Sequence, residues 1–151
     1  MPFKTIIYDL GMNAFIKEIK KLKKNNKVEI GIWSDKKRND GLDNVSLMTM
    51  HEFGYYELPQ RSIIRAGTDI NLSEAFKQIS NEYSLIIKSR SNFKELFNKN
   101  GKFILDKFQK RFSKQFLTPN APYTIRKKGS DTPLVDTGQL KKSFKYKING
   151  K

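Results

Sequence analysis

The sequence predicts an α+β fold, a small antiparallel sheet packed against two or three long helices in a single domain. Three observations carry that prediction. Apolar residues recur at three- and four-residue spacing in three long segments, the period of an amphipathic helix. Two short segments instead alternate apolar and polar side chains, the period of a strand. The chain has 151 residues, enough for one domain with a core of its own.

Residues Met12 to Lys24 read as the first helix, with Met12, Phe15, Ile16, Ile19 and Leu22 on one stripe and lysines over the rest. Two asparagines stop it. The stretch "KVEIGIW" follows as a strand whose Val28, Ile30 and Ile32 share a face. A charged, turn-rich loop near 34–44 leads to a short helix over Val45–Phe53 that ends at Gly54, a C-cap. The segment near 55–62 is read as an extended loop around Pro59. A second long helix is expected from about Ile70 to Lys88, with Asn71 and Glu74 at capping-box spacing. A third fits Phe93 to Phe116, its Phe97, Ile104, Phe108, Phe112 and Phe116 forming a core stripe that Gly101 interrupts.

Residues 118–135 read as one long polar loop, and loops of that length in a compact domain carry function or move. Asp136 and Gln139 have capping-box spacing for a last short helix of about a turn and a half. The closing "SFKYKI" alternates Phe144, Tyr146 and Ile148 against Lys145 and Lys147. It is expected to pair with "KVEIGIW".

Composition narrows the function. There is no Cys and a single His, so neither disulfides nor a thiolate or His-based metal cluster can form. No run of about 18 apolar residues is present, so no membrane partner is expected, and the opening "MPFKTIIYDLGMNAF" does not have the pattern of a secretory signal. Phosphate-cradling and dinucleotide loops are missing, as is the Gly-x-Ser-x-Gly elbow, and the carboxylates are scattered. No enzyme, cofactor or metal is therefore expected, and no catalytic residue is assigned.

The formal charge is +15. It is uneven: between Asp40 and Ile87 there are seven acidic residues and three basic ones, while the flanks are strongly basic. Such a chain can bind nucleic-acid phosphates non-specifically, or dock acidic surface on the basic surface of another copy. Twenty-four of the thirty basic residues are Lys, whereas Arg is the residue suited to bidentate phosphate sites. A small basic nucleic-acid-binding protein is the alternative reading.

Two segments carry a family likeness. "HEFGYYELPQRSIIRAG", from His51 to Gly67, and "RKKGSDTPLVDTGQLKKSFKYKI", from Arg126 to Ile148, together resemble the tail-completion or neck proteins of long-tailed bacteriophages, also described as minor tail or virion-morphogenesis proteins. The likeness spans roughly residues 27–148. Glu52, Phe53, Gly54, Pro59, Arg61, Ser62 and Arg65 match the first motif. Lys128, Gly129, Pro133, Leu134, Asp136, Thr137, Gly138 and Leu140 match the second. Ile63–Ile64 departs from the pattern, since the family often has an aromatic before the aliphatic residue.

The resemblance implies a non-enzymatic part of the virion, assembled in the bacterial host cytoplasm and acting at the junction of head and tail. Its implied partners are other phage head–tail junction or tail proteins, with a homo-oligomeric ring by analogy. The expected interface residues are His51, Glu52, Phe53, Tyr55, Tyr56, Arg61, Arg65, Arg126, Lys127 and Lys128. His51 can also be read as a partly buried polar residue at a helix end, and Glu52 as one half of a surface pair with Arg61 or Arg65. The residues expected to hold the motifs in shape are Gly54, Pro59, Gly129, Pro133, Leu134, Asp136, Thr137, Gly138, Gln139 and Leu140, with Asp136 as a cap that sets the angle of the last strand.

Overall fold

The chain is seen here in a computed structural model that describes residues 12–22, 27–33, 41–88, 91–113 and 115–149. The opening stretch, the end of the first expected helix at 23–24 and most of the 34–44 loop lie outside the described residues. Among those described, six helices and two strands follow one another. They are α1 (Met12–Leu22), β1 (Lys27–Ile32), α2 (Asn44–Phe53), α3 (Ile64–Ile87), α4 (Phe93–Lys110), α5 (Pro122–Lys128), α6 (Gln139–Ser143) and β2 (Phe144–Asn149). The architecture is the α+β class expected: a small antiparallel sheet packed against long helices.

β1 and β2 pair antiparallel with Val28 opposite Ile148, Ile30 opposite Tyr146 and Ile32 opposite Phe144. The two alternating patterns thus meet in a register that puts these apolar side chains on one face; a one-residue slip of either strand would turn its own set to solvent. That face lies on α4. Phe144 is fully buried and meets Phe108 and Phe112 edge-on, with ring centroids 6.2 and 5.5 Å away. Met48, Ile63, Leu117 and Leu140 complete this main core. A second cluster of Ile86, Phe93 and Leu96, joined by Phe15 of α1, closes the far end of the α3–α4 pair.

α3 and α4 run antiparallel. Glu82 pairs with Lys99 at 3.0 Å and, two turns back, Glu74 with Lys107 at 2.6 Å. Asn92 caps α4, its side-chain oxygen accepting from the Glu95 N–H. Gly101, expected only to weaken the helix, has a packing role. A β-carbon there would stand 2.5 Å from the Tyr146 ring, so only glycine lets β2 approach α4 so closely.

Several boundaries differ from expectation. α3 starts at Ile64, about six residues before Ile70. Asn71 and Glu74 are therefore not a cap: Asn71 donates to the Gly67 carbonyl within the helix, and Glu74 pairs with Lys107. α4 ends at Lys110, leaving Phe116 half exposed. The 118–135 segment is not one loop. It holds α5, which Pro122 opens and Gly129 closes in the left-handed conformation. α6 has the expected length, but Asp136 does not cap it. Gly138 occupies the N-cap position at φ 75° and has no side chain to cap with, and the Gln139 N–H reaches the Thr137 hydroxyl at 3.3 Å. Asp136 is exposed.

Candidate functional site

The first motif is built around Glu52. An α-helix leaves its first four N–H groups without intrahelical partners. At α3 those groups belong to Ile63, Ile64, Arg65 and Ala66. The Glu52 carboxylate, reaching over from the end of α2, accepts from Ile63 (2.9 Å), Ile64 (3.0 Å) and Arg65 (2.8 Å). The Ser62 hydroxyl accepts from Ala66 at 3.1 Å and itself donates to Glu52 at 2.6 Å. All four donors are thus satisfied by two side chains outside the helix. A carboxylate at a helix N-terminus also meets the positive end of the macrodipole.

Glu52 is only 4 % exposed. Desolvation pushes its carboxyl up, but the hydrogen bonds from Ser62, Arg65, Ile64 and Ile63 together outweigh it and hold the group below the usual carboxylate range. Arg65 lies 3.4 Å from the carboxylate and donates to the Glu52 carbonyl at 2.6 Å, with its guanidinium over the Phe53 ring at 4.5 Å. The expected Glu52–Arg65 pair thus forms, with its carboxylate buried and its guanidinium half exposed.

Arg61 ties that junction to the rest of the chain. Its backbone N–H donates to the His51 carbonyl at 2.7 Å. Its side chain donates to the carbonyls of Thr118 and Pro119, both at 2.8 Å. Arg111 adds two bonds to the Ser62 carbonyl. Three of the expected interface residues, His51, Glu52 and Arg61, are therefore interior, at 8, 4 and 7 % exposure. The Glu52 and Arg61 side chains and the His51 carbonyl hold α2, α3 and the 118–119 segment together.

Between Glu52 and Arg61 the chain turns outward. Gly54 leaves α2 at φ 78°, ψ 146°, a conformation that only glycine adopts freely. Tyr55 and Leu58 then exchange two backbone hydrogen bonds, at 3.3 and 2.9 Å, closing a tight turn. Tyr56 sits at its tip at φ 53°, a region costly for a side chain of this size. It is 95 % exposed, Tyr55 is 55 % and Phe53 63 %. The two tyrosine rings lie 5.6 Å apart.

The two motifs meet in a cleft of about 610 Å³. One wall is Leu47 and His51 of α2 with Glu57, Leu58, Pro59 and Arg61. The other is Pro119, Asn120, Ala121, Thr124 and Lys128 with the 134–140 segment from Leu134 to Leu140. Lys128 donates to the Thr132 carbonyl at 2.9 Å and so ties the end of α5 to the α5–α6 connection. Burial lowers its amine, opposed by Asp136 and assisted by Arg61. Pro133 is fully buried behind it. Two buried polar atoms of the lining, His51 Nδ1 and Asn120 Nδ2, find no hydrogen-bond partner among the described residues. Burial first, and the Arg61 charge second, depress the His51 imidazole to about 4, so it is neutral at pH 7.

Arg126 and Lys127 are exposed, on α5 and not in a loop. The sequence reading missed Asn120, Thr124 and the cleft itself. Thr124 and Lys128 lie four apart, the spacing of one helix face, a signal hidden once 118–135 was read as a loop. Among the described residues no group of three or more His, Cys, Asp or Glu side chains is placed to hold a metal ion, and no helix is long and apolar enough to cross a membrane. No protein-family model, curated protein or solved structure matches the chain.

Proposed function

We propose that this chain is a structural protein of the bacteriophage head–tail junction, acting in tail completion or neck assembly through protein–protein contacts and without catalysis. The observation that carries the reading is the division of labour within the first motif. Its charged residues are spent on the Glu52 junction, while its aromatic residues are presented on a strained turn, with Tyr56 95 % exposed. Backbone strain kept at an exposed aromatic points to a contact that uses it. Tyrosine is among the residues that anchor interfaces. The resemblance of both motifs to neck and tail-completion proteins supplies the partner class: other junction or tail proteins of a virion assembled in a bacterial cytoplasm.

Deletion of the gene from a phage or prophage that carries it tests the proposal. The expected result is filled heads and separate tails in the lysate, with tail joining restored by the wild-type gene supplied in trans. Infectious particles at normal titre from the deletion would overturn it.

The charge of +15 favours a second reading, a non-specific nucleic-acid contact through surfaces such as exposed Arg126 and Lys127. Duplex retardation whose logarithmic affinity falls steeply with logarithmic salt would support it. Retardation that is absent at 150 mM salt counts against it.

A further inference from the structure

We infer that the outer face of the β1–β2 sheet binds single-stranded nucleic acid, with a base stacked on Trp33 and phosphates held by Lys145 and Lys147. The inference deepens the nucleic-acid reading and rests on it, but moves the contact from α5 to the sheet. Side chains alternate along a strand. Val28, Ile30 and Ile32 share the α4 face with their partners Ile148, Tyr146 and Phe144, so Glu29, Gly31, Lys145 and Lys147 point the other way. Trp33 follows β1 in the same alternation, and the Lys147 ammonium, 4.2 Å from its ring centroid, places it on that side. Both lysines are exposed. A β-carbon added at Gly31 would meet nothing within 4 Å among the described residues, so the middle of the face is open. Trp33 belongs to neither core cluster.

The chemistry of the face selects its ligand. A nucleobase offers a flat π-face to the indole, and the phosphates beside it match ammonium groups. Glu29, the only acid in either strand, is paired with Lys27, which leaves Lys145 and Lys147 to set the charge near the ring. A duplex keeps its base faces inside its own stack and would meet the lysines alone, so the aromatic favours an unpaired strand. A membrane surface would call for apolar side chains around the ring, where this face has glycine and charge. Lys147 lies over the indole and must leave it for a phosphate when a base arrives. A stacked base is worth more than an exposed cation–π contact, so the exchange is favourable. Lysine is a flexible point charge, unlike the arginine fork that reads guanine edges, so the site should accept any base.

Titration of the full-length chain with oligo(dT) of about 10 nucleotides tests the site, at about 0.1 M salt, where charges beyond about 10 Å are screened. The chain has one tryptophan, so fluorescence quenching reports this face. Oligo(dT) should quench it. An abasic strand and a duplex of the same length should bind about fivefold or more weaker and leave the fluorescence nearly unchanged. By anisotropy of a labelled strand, Trp33→Ala should raise Kd about five- to hundredfold, and Trp33→Phe by less. Lys145→Gln and Lys147→Gln should each reduce the slope of log affinity against log salt by about 0.7. Arg126→Gln with Lys127→Gln, on α5, should leave the quenching in place. Equal quenching by the abasic strand, unchanged affinity in Trp33→Ala, or quenching lost in the α5 variant would each overturn the inference. Retardation of the strand without quenching would also overturn it, while leaving the broader charge reading intact. A blue shift with phosphatidylglycerol vesicles, in place of quenching by the oligonucleotide, would overturn it in favour of a membrane surface. If Trp33→Ala fails to fold, the dT and abasic strands compared on the wild type decide the question.

Discussion

Glu52 and Tyr56 stand four residues apart in one motif and meet opposite fates. Glu52 is 4 % exposed and has partners at every side. Tyr56 is 95 % exposed, at positive φ. The charged residue, which ordinary surface statistics would put in water, is the structural one. The aromatic residue, which the same statistics would bury, is the one left in solvent. A motif rich in charge is therefore a poor guide to which of its residues make contacts. A polar side chain that completes the end of a 24-residue helix is more valuable inside than on an interface.

The largest predicted effect breaks the buried half. Glu52→Ala strands three backbone donors and the Ser62 hydroxyl, and should cost about 3–5 kcal/mol in urea unfolding. Glu52→Gln, which keeps the shape but loses the charge, should fall between. A loss below about 1 kcal/mol for the alanine variant would mean that the cap is not the source of stability. Next comes the far wall of the cleft. Gly138→Val forces a β-branched residue to φ 75° and should cost about 1–3 kcal/mol. A β-carbon itself meets nothing nearer than Lys142 at 4.0 Å, so the cost is conformational and not a clash. Asp136→Ala, by contrast, should change stability by less than about 0.5 kcal/mol, because no cap is lost.

Acid should loosen the junction before it affects the turn. His51 has its pKa depressed to about 4 from 6.5, so the unfolded chain binds the proton more readily. Its contribution to stability is whole above about pH 6.5 and declines as the pH falls toward 4. Glu52, also depressed, loses its contribution lower still, as the pH falls through its folded value. The thermal midpoint should drop from pH 6.5 to 4, and His51→Gln should flatten that slope; an unchanged slope in the variant would remove His51 from the account. The smallest effect sharpens the exposed half. Tyr56→Gly relieves the positive φ and should leave stability unchanged or raise it by up to about 1 kcal/mol. A destabilised Tyr56→Gly would show that the ring supports the fold.

The sequence by itself determined the elements whose signal is local. Alternation in "KVEIGIW" and "SFKYKI" gave both strands and their shared apolar face, and the 3.6-residue period gave the long helices. Gly54 marked the end of α2. What tertiary structure decided lies where a group far along the chain supplies the missing partner. The start of α3 was misplaced because its cap is Glu52, 11 to 13 residues away, and not a neighbour such as Asn71. α5 was hidden by polar composition, and its helical face is visible only against the cleft that it lines. Gly101 looked like a weak point until Tyr146 came within reach of it. Periodicity is written in neighbouring residues because burial of one face needs nothing else; capping, close approach and clefts depend on distances between segments, which only the folded chain sets.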